Sequence, residues 1–244
     1  MTKVTRFFTK KLPGGQIVRI EGEETRHMKV LRLKKGDQIC LFDGTGNEIT
    51  GQILDIGPRK LEIKVVAREK VRTTEVLVDL AISVPKGKRW DWIIQKATEL
   101  GVSRIIPVVT KRGVVIPNKE GKSERWTRIA VEAAKQSQRA TVPGITEPAK
   151  FEEMLDFTED YDLKLIALPT AKQDIKHALQ KRRPKRILCL IGPEGGFTDE
   201  EQDKAKKRGF TPVKLGKEIL RVETAGIAML AMIKYEYGNR IFRG

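Results

Sequence analysis

Ile191-Gly192-Pro193-Glu194-Gly195-Gly196-Phe197-Thr198 is the stretch on which the reading of this chain turns. Before it, Ile187–Ile191 is a short apolar run of the kind that parallel strands, buried on both faces, show. After it, Thr198 and Glu201 form a capping box that predicts a helix over Asp199–Arg208. Strand, glycine turn and capped helix are the parts of an open α/β sheet, where ligands sit beyond the carboxyl ends of the strands. The glycines permit positive φ and close backbone approach. The spacing is neither Gly-x-x-x-x-Gly-Lys-Ser/Thr nor Gly-x-Gly-x-x-Gly, the two phosphate-cradling patterns. The carboxylates of Glu194, Asp199, Glu200 and Glu201 crowd the helix start and would repel the phosphate that a helix dipole attracts. A neutral or cationic small ligand fits better. The same residues also read as a tight turn with ordinary capping, and composition alone does not separate the two.

A second stretch, Leu215-Gly216-Lys217-Glu218-Ile219-Leu220-Arg221-Val222-Glu223-Thr224-Ala225-Gly226, also links a short strand (Val213–Leu215) to a helix (Val222–Tyr237). Arg221 there suits a carboxylate, a phosphate or a developing anion. An Arg–Glu surface pair of little energetic consequence is the other reading. Upstream, strands are expected at Val76–Val84, Arg104–Val109 and Leu163–Leu168. Helices are expected at Lys88–Leu100, around Trp126–Ser137 and at Ala171–Gln180. This βαβα rhythm predicts an α/β domain with a mainly parallel sheet over 73–244. Residues 1–72 read differently. Short apolar runs separated by Pro13-Gly14-Gly15, Asp43-Gly44-Thr45-Gly46 and Gly57-Pro58 predict a small β-barrel or sandwich, with one helix near Glu23–Leu31.

The chain has 244 residues, with 48 Lys and Arg against 32 Asp and Glu, a formal net charge of +16. The surplus points to a polyanion, nucleic acid first and anionic membrane second. It is densest in 1–72, with 16 basic and 9 acidic residues. The longest apolar stretch, Ile227–Ile233, is far shorter than a membrane span requires. The opening Met-Thr-Lys-Val-Thr-Arg-Phe-Phe has no apolar signal core, so a cytoplasmic location is expected. Two cysteines, Cys40 and Cys189, sit in apolar runs, and two histidines, His27 and His177, complete no zinc pattern. No metal and no disulfide are expected.

The two glycine stretches, in this order near the C-terminus, closely resemble the RsmE family, SPOUT-class S-adenosylmethionine-dependent methyltransferases. Arg6-Phe7-Phe8, His27-Met28-Lys29-Val30-Leu31-Arg32 and Asp43-Gly44 resemble its PUA-like RNA-binding domain. Lys96–Val102, Thr110-Lys111-Arg112 and Glu132–Ser137 resemble its central signatures, with Lys111 where an acidic residue often stands. The resemblance implies methylation of uridine N3 in the decoding region of 16S ribosomal RNA, on the small ribosomal subunit. It implies a trefoil-knotted C-terminal domain, a homodimer, and cofactor contacts from Leu168, Pro169, Gly192, Pro193, Gly196, Leu215, Gly216, Ile219, Leu220, Arg221 and Thr224.

Uridine N3 carries a proton, and its removal leaves a uracilate anion that a cation stabilises. Arg221 is the expected cation, with Glu223 as a base or as the residue that orients it. Arg6, His27, Lys29 and Arg32 are the RNA candidates on the N-terminal domain. Arg112, Gln136 and Arg139 are those near the catalytic site, the last two three residues apart and expected on one helix face. The basic run Lys181–Arg186 reads better as a complement to a helix C-terminus. Trp90, Trp92 and Trp126 read as core or dimer interface. Another SPOUT specificity, ribose 2′-O or a different base, is a second reading, and a non-catalytic RNA-binding protein is a third.

Overall fold

The two sequence textures become two packing units. The structure, a computed structural model, describes residues 4–21, 33–57, 60–71, 76–87, 89–113, 122–180 and 183–238. The helix expected at 23–31 lies outside them. One unit comprises 1–73 with 134–142; the other comprises 74–133 with 143–244. Residues 134–142, expected with the C-terminal domain, therefore pack with the N-terminal one.

In the first unit, β1 (Thr5–Phe8), β2 (Ile17–Glu21), β3 (Gln38–Phe42), β4 (Asn47–Ile56) and β5 (Lys60–Lys70) form one sheet in the order β1-β3-β4-β5-β2. β1 runs parallel to β3; the other ladders are antiparallel. Alternation sends Phe7, Ile39, Leu41, Ile49, Ile53, Leu61 and Ile63 into a common core. Register shifts in the β4–β5 ladder, after Thr50 and after Ile53, bend both strands. No ladder joins β2 to β1 among the described residues. Asp43 organises the β3–β4 turn. Its carboxylate accepts from the Thr45 N–H at 2.8 Å and from the Asn47 side-chain amide at 2.7 Å. Residues 140–142 dock on this turn: the Gly46 N–H donates to Ala140 O and the Val142 N–H to Gly44 O.

The second unit alternates as expected. Its elements are β6 (Leu77–Ser83), α1 (Arg89–Glu99), β7 (Arg104–Val109), α2 (Lys122–Gln136), β8 (Gly144–Ile145), β9 (Ala149–Lys150), α3 (Phe151–Asp156) and β10 (Leu163–Ala167). There follow α4 (Ile175–Leu179), β11 (Arg186–Ile191), α5 (Asp199–Lys207), β12 (Thr211–Val213) and α6 (Val222–Tyr237). The sheet order is β12-β10-β11-β6-β7-β8, with β9 also on β7, and every ladder is parallel. β6 and β11 are buried along almost their whole length, β11 through an unbroken apolar run and β6 through one interrupted by Asp79. α6 lies close on this sheet. A Cβ at Gly226 would stand 2.9 Å from Ile82 Cδ1. α4 is only five residues long, because the backbone before it pairs with Lys214 instead: the Lys214 N–H donates to Gln173 O, and the Ile175 N–H to Lys214 O. Both cysteines are buried, and burial pushes the Cys40 thiol up to about 11 and Cys189 further. No helix among the described residues is long and apolar enough to cross a membrane. No cluster of His, Cys, Asp and Glu among them suits a metal ion.

A buried carboxylate holds the amino-terminal edge of the sheet. Asp79 accepts from Arg104 at 2.9 Å and from the Tyr161 hydroxyl at 2.5 Å, with Arg186 at 3.6 Å and stacked over the Tyr161 ring. Burial first, then the bond to Asp79, pushes the Tyr161 hydroxyl up to about 12. The unfolded chain gives up this proton near pH 10. The folded chain keeps it to about pH 12, so this part of the stability is intact below pH 10 and drains away between the two. Tyr161→Phe is expected to cost about 1–2 kcal/mol in urea unfolding at pH 7, and to remove that share of the alkaline loss. An unchanged unfolding midpoint would show that the hydroxyl does not support Asp79.

Candidate active site

In a parallel sheet the carboxyl ends of adjacent strands lie at one edge. The order β12-β10-β11 therefore gathers three loops there, after Ala167, after Ile191 and after Val213. Together with the start of α6 they enclose an open cleft of about 680 Å³. The middle loop is shaped by its own sequence. The Gly196 N–H donates to Pro193 O at 2.8 Å, and Gly196 takes φ +69°, which favours glycine. Thr198 caps α5 by accepting from the Glu201 N–H, while Glu201 accepts from the Thr198 N–H at 2.8 Å. The other Glu201 oxygen accepts from the Lys111 N–H at 2.9 Å, and this carboxylate is only 1% exposed. Phe197 turns inward onto Phe151, and Gly192 makes room for its ring.

Among the described residues the lining is apolar apart from Glu194 and Glu218, and it contains no Lys or Arg. Cations stand just outside it. Arg89, the first residue of α1, donates to Glu194 at 3.1 Å and stands 3.9 Å from Glu223. Arg112 donates to the carbonyl of Gly195 at 3.0 Å. Lys111, the departure from the usual acidic residue, pairs with Glu200. Hydrogen bonds from Lys111, and then from Lys204, hold the Glu200 carboxyl down at about 2.

Leu168 and Pro169 line the cleft, as do Gly192, Pro193 and Gly196, and then Leu215, Gly216, Ile219 and Leu220. Arg221 and Thr224 do not. Both are exposed, and Arg221 is the N-cap residue of α6 with no capping bond from its side chain. Glu223 is mostly buried, and its Oε2 has no hydrogen-bond partner among the described residues. The expected stretches Gly192–Gly196 and Leu215–Thr224 also bring Glu194, Glu218 and Val222 to the lining, whereas Ala167, Ile191, Phe197 and Ala225, and Arg89 beside them, were passed over. Ala225 had a signal, since it stands three residues after Val222 on one helix face. Arg89 had none.

The expected RNA-binding residues fare differently. His27, Lys29 and Arg32 lie outside the described residues. Arg6 is committed elsewhere: its side chain, 11% exposed, pairs with Glu48, donates to Arg139 O and stacks over Phe42. Gln136 is exposed at the end of α2 and Arg139 is half-buried beyond it. They do not share a helix face, because Gln138 turns left-handed at φ +59°. The Arg139 N–H then returns to Ala134 O and the Gln138 N–H to Lys135 O, the Schellman pattern that ends a helix. Arg112, expected at the RNA, is bonded to the glycine loop. Trp90 and Trp126 are buried edge to face, whereas Trp92 is exposed.

A Cβ at Gly192 would stand 2.8 Å from the Phe197 ring, which the core holds in place. Gly192→Ala is therefore expected to cost about 1–3 kcal/mol in urea unfolding, the usual penalty of overpacking. A neutral result would mean that the loop yields freely.

Residues 72–234 match the RNA methyltransferase domain family, and residues 20–66 match the RNA methyltransferase PUA domain family. The ribosomal RNA small subunit methyltransferase E of Bacillus subtilis (strain 168) is 34% identical, over 92% of this chain and 91% of its own length. That of Synechocystis sp. is 36% identical over 84% of this chain and 68% of its own. Among solved structures, the ribosomal RNA small subunit methyltransferase E of Neisseria gonorrhoeae bound to S-adenosyl methionine superposes with a TM-score of 0.86. It is 32% identical and covers 95% of this chain and 97% of its own. With both domain families matched and relatives this similar along nearly its full length, the chain belongs to the ribosomal RNA small subunit methyltransferase E family of RNA methyltransferases.

Proposed function

We propose that this protein uses S-adenosylmethionine to methylate N3 of a uridine in the decoding region of 16S ribosomal RNA, in the cytoplasm and as a homodimer. The carrying observation is the cleft: three loops at one sheet edge, apolar walls, two carboxylates and, among the described residues, no lining cation. Those properties fit a sulfonium cofactor, which is positively charged at sulfur and carries a flat adenine ring that apolar walls can hold. Leu168, Pro169, Gly192, Pro193, Gly196, Leu215, Gly216, Ile219 and Leu220 would hold it, with Arg221 and Thr224 at the rim. When bound, it supplies an electrophilic methyl group. In the resemblance to SPOUT enzymes this part of the chain is trefoil-knotted.

The chain's own residues have three tasks. The loops exclude water and fix the approach of the base, since methyl transfer depends on positioning. Glu223, whose buried Oε2 has no hydrogen-bond partner among the described residues, takes the N3 proton or orients Arg221. Arg221 stabilises the uracilate anion. Its exposure, together with Ile219 at 83% exposed on the cleft rim, fits a site that a second copy of the chain completes. Residues 1–72 form the RNA-binding domain and 73–244 the catalytic one, with His27, Lys29, Arg32, Gln136 and Arg139 toward the RNA. The net charge of +16 supports a polyanionic partner.

The test is transfer of labelled methyl from S-adenosylmethionine to unmethylated small ribosomal subunits, followed by nucleoside analysis. Label is expected as 3-methyluridine; label in another nucleoside, or in a ribose, would overturn the specificity. Arg221→Ala is expected to lower turnover by about a hundredfold with cofactor still bound. Near-normal turnover would remove Arg221 from the chemistry.

A further inference from the structure

The turn after β7 is built to hold the glycine loop. Thr110–Gly113 is closed by the Gly113 N–H donating to Thr110 O at 3.0 Å. Its base is fixed, because the buried Thr110 hydroxyl lies 3.4 Å from the buried Ser83 hydroxyl on β6. From this fixed turn three groups reach the loop and the helix it caps. The Lys111 N–H donates to the buried Glu201 carboxylate, the Lys111 ammonium pairs with Glu200, and the Arg112 guanidinium donates to Gly195 O. The Arg112 stem also packs on the loop. A Cβ at Gly195 would stand 3.4 Å from Arg112 Cβ. Gly195 takes no positive φ, and a Cβ there would meet the Arg112 stem at ordinary van der Waals distance, so the stem lies directly against the loop.

We propose that Arg112 is a positioning residue for cofactor binding. It holds the carbonyl of Gly195, and thereby Glu194 and Gly196 on either side, in the form that lines the cleft. The inference rests on the reading of the cleft as the S-adenosylmethionine site. Its consequence is specific: Arg112 acts on the cofactor through the loop backbone, and RNA affinity does not depend on it. The bond is exposed to water, so its loss moves affinity by a modest factor.

The experiment uses the full chain and its Arg112→Ala and Arg112→Lys variants. S-adenosylmethionine affinity is measured by equilibrium dialysis, RNA affinity by filter binding to a small-subunit RNA fragment, and kcat and KM by methyl transfer. Arg112→Ala is expected to weaken cofactor binding about five- to tenfold. KM for the cofactor rises in step, while kcat at saturating cofactor and RNA affinity stay within about twofold. Arg112→Lys keeps the charge and stem without the planar fork, and is expected to recover part of the loss. An unchanged thermal midpoint in Arg112→Lys separates this effect from a folding defect. Unchanged cofactor affinity in Arg112→Ala would overturn the proposal, as would lost RNA affinity with cofactor binding intact. If the unsubstituted chain bound no S-adenosylmethionine, the reading of the cleft would fall, and this proposal with it.

Discussion

The Glu201 carboxylate is the interaction on which the candidate site depends. It is buried, yet both oxygens are satisfied by backbone N–H groups, one from Thr198 at its own helix start and one from Lys111 on the turn after β7. A buried carboxylate is costly unless such donors meet it. Once met, it ties two loops that are some ninety residues apart in sequence. The glycine loop is thus clamped at its helix end by Glu201 and at its midpoint by Arg112. Between the clamps, Gly192 leaves room for the Phe197 ring and Gly196 takes a positive φ, so each resists a side chain.

The two edges of the parallel sheet divide the work. At the amino edge, Arg104, Arg186 and the Tyr161 hydroxyl gather on the one Asp79 carboxylate. At the carboxyl edge the loops leave a cleft whose charged lining residues, among those described, are all acidic. In a chain of net charge +16, this local reversal of sign is the clearest electrostatic feature of the candidate site. It suits a cationic cofactor inside and a polyanion outside, with Arg89 and Arg112 at the boundary between them.

Much of the second unit was legible because strands and helices there alternate with strong punctuation. β7 and α6 run over the expected residues, and the Thr198–Glu201 capping box forms as its spacing dictates. What escaped was set by tertiary contact. Nothing local marks Gln138 as the left-handed residue that ends α2, since glycine or asparagine is the usual choice there. That turn sends 140–142 onto the Asp43 turn and moves 134–142 to the other packing unit. Arg6 read as a surface cation, but Glu48 and the Phe42 ring bury it. Nothing in the sequence singled out Arg89, and only the fold sets it between Glu194 and Glu223. The knot and the chemistry at uridine N3 came from family resemblance alone, because periodicity and spacing do not encode chain threading or substrate identity.

The central claim is that the three carboxyl-edge loops form one cofactor site. Hydrogen exchange of the full chain with and without S-adenosylmethionine tests it most directly. Slowed exchange is expected at 192–197 and 215–222, with the adjoining turn at 168–171. Exchange that does not change there, or protection that appears only in residues 4–71, would contradict it.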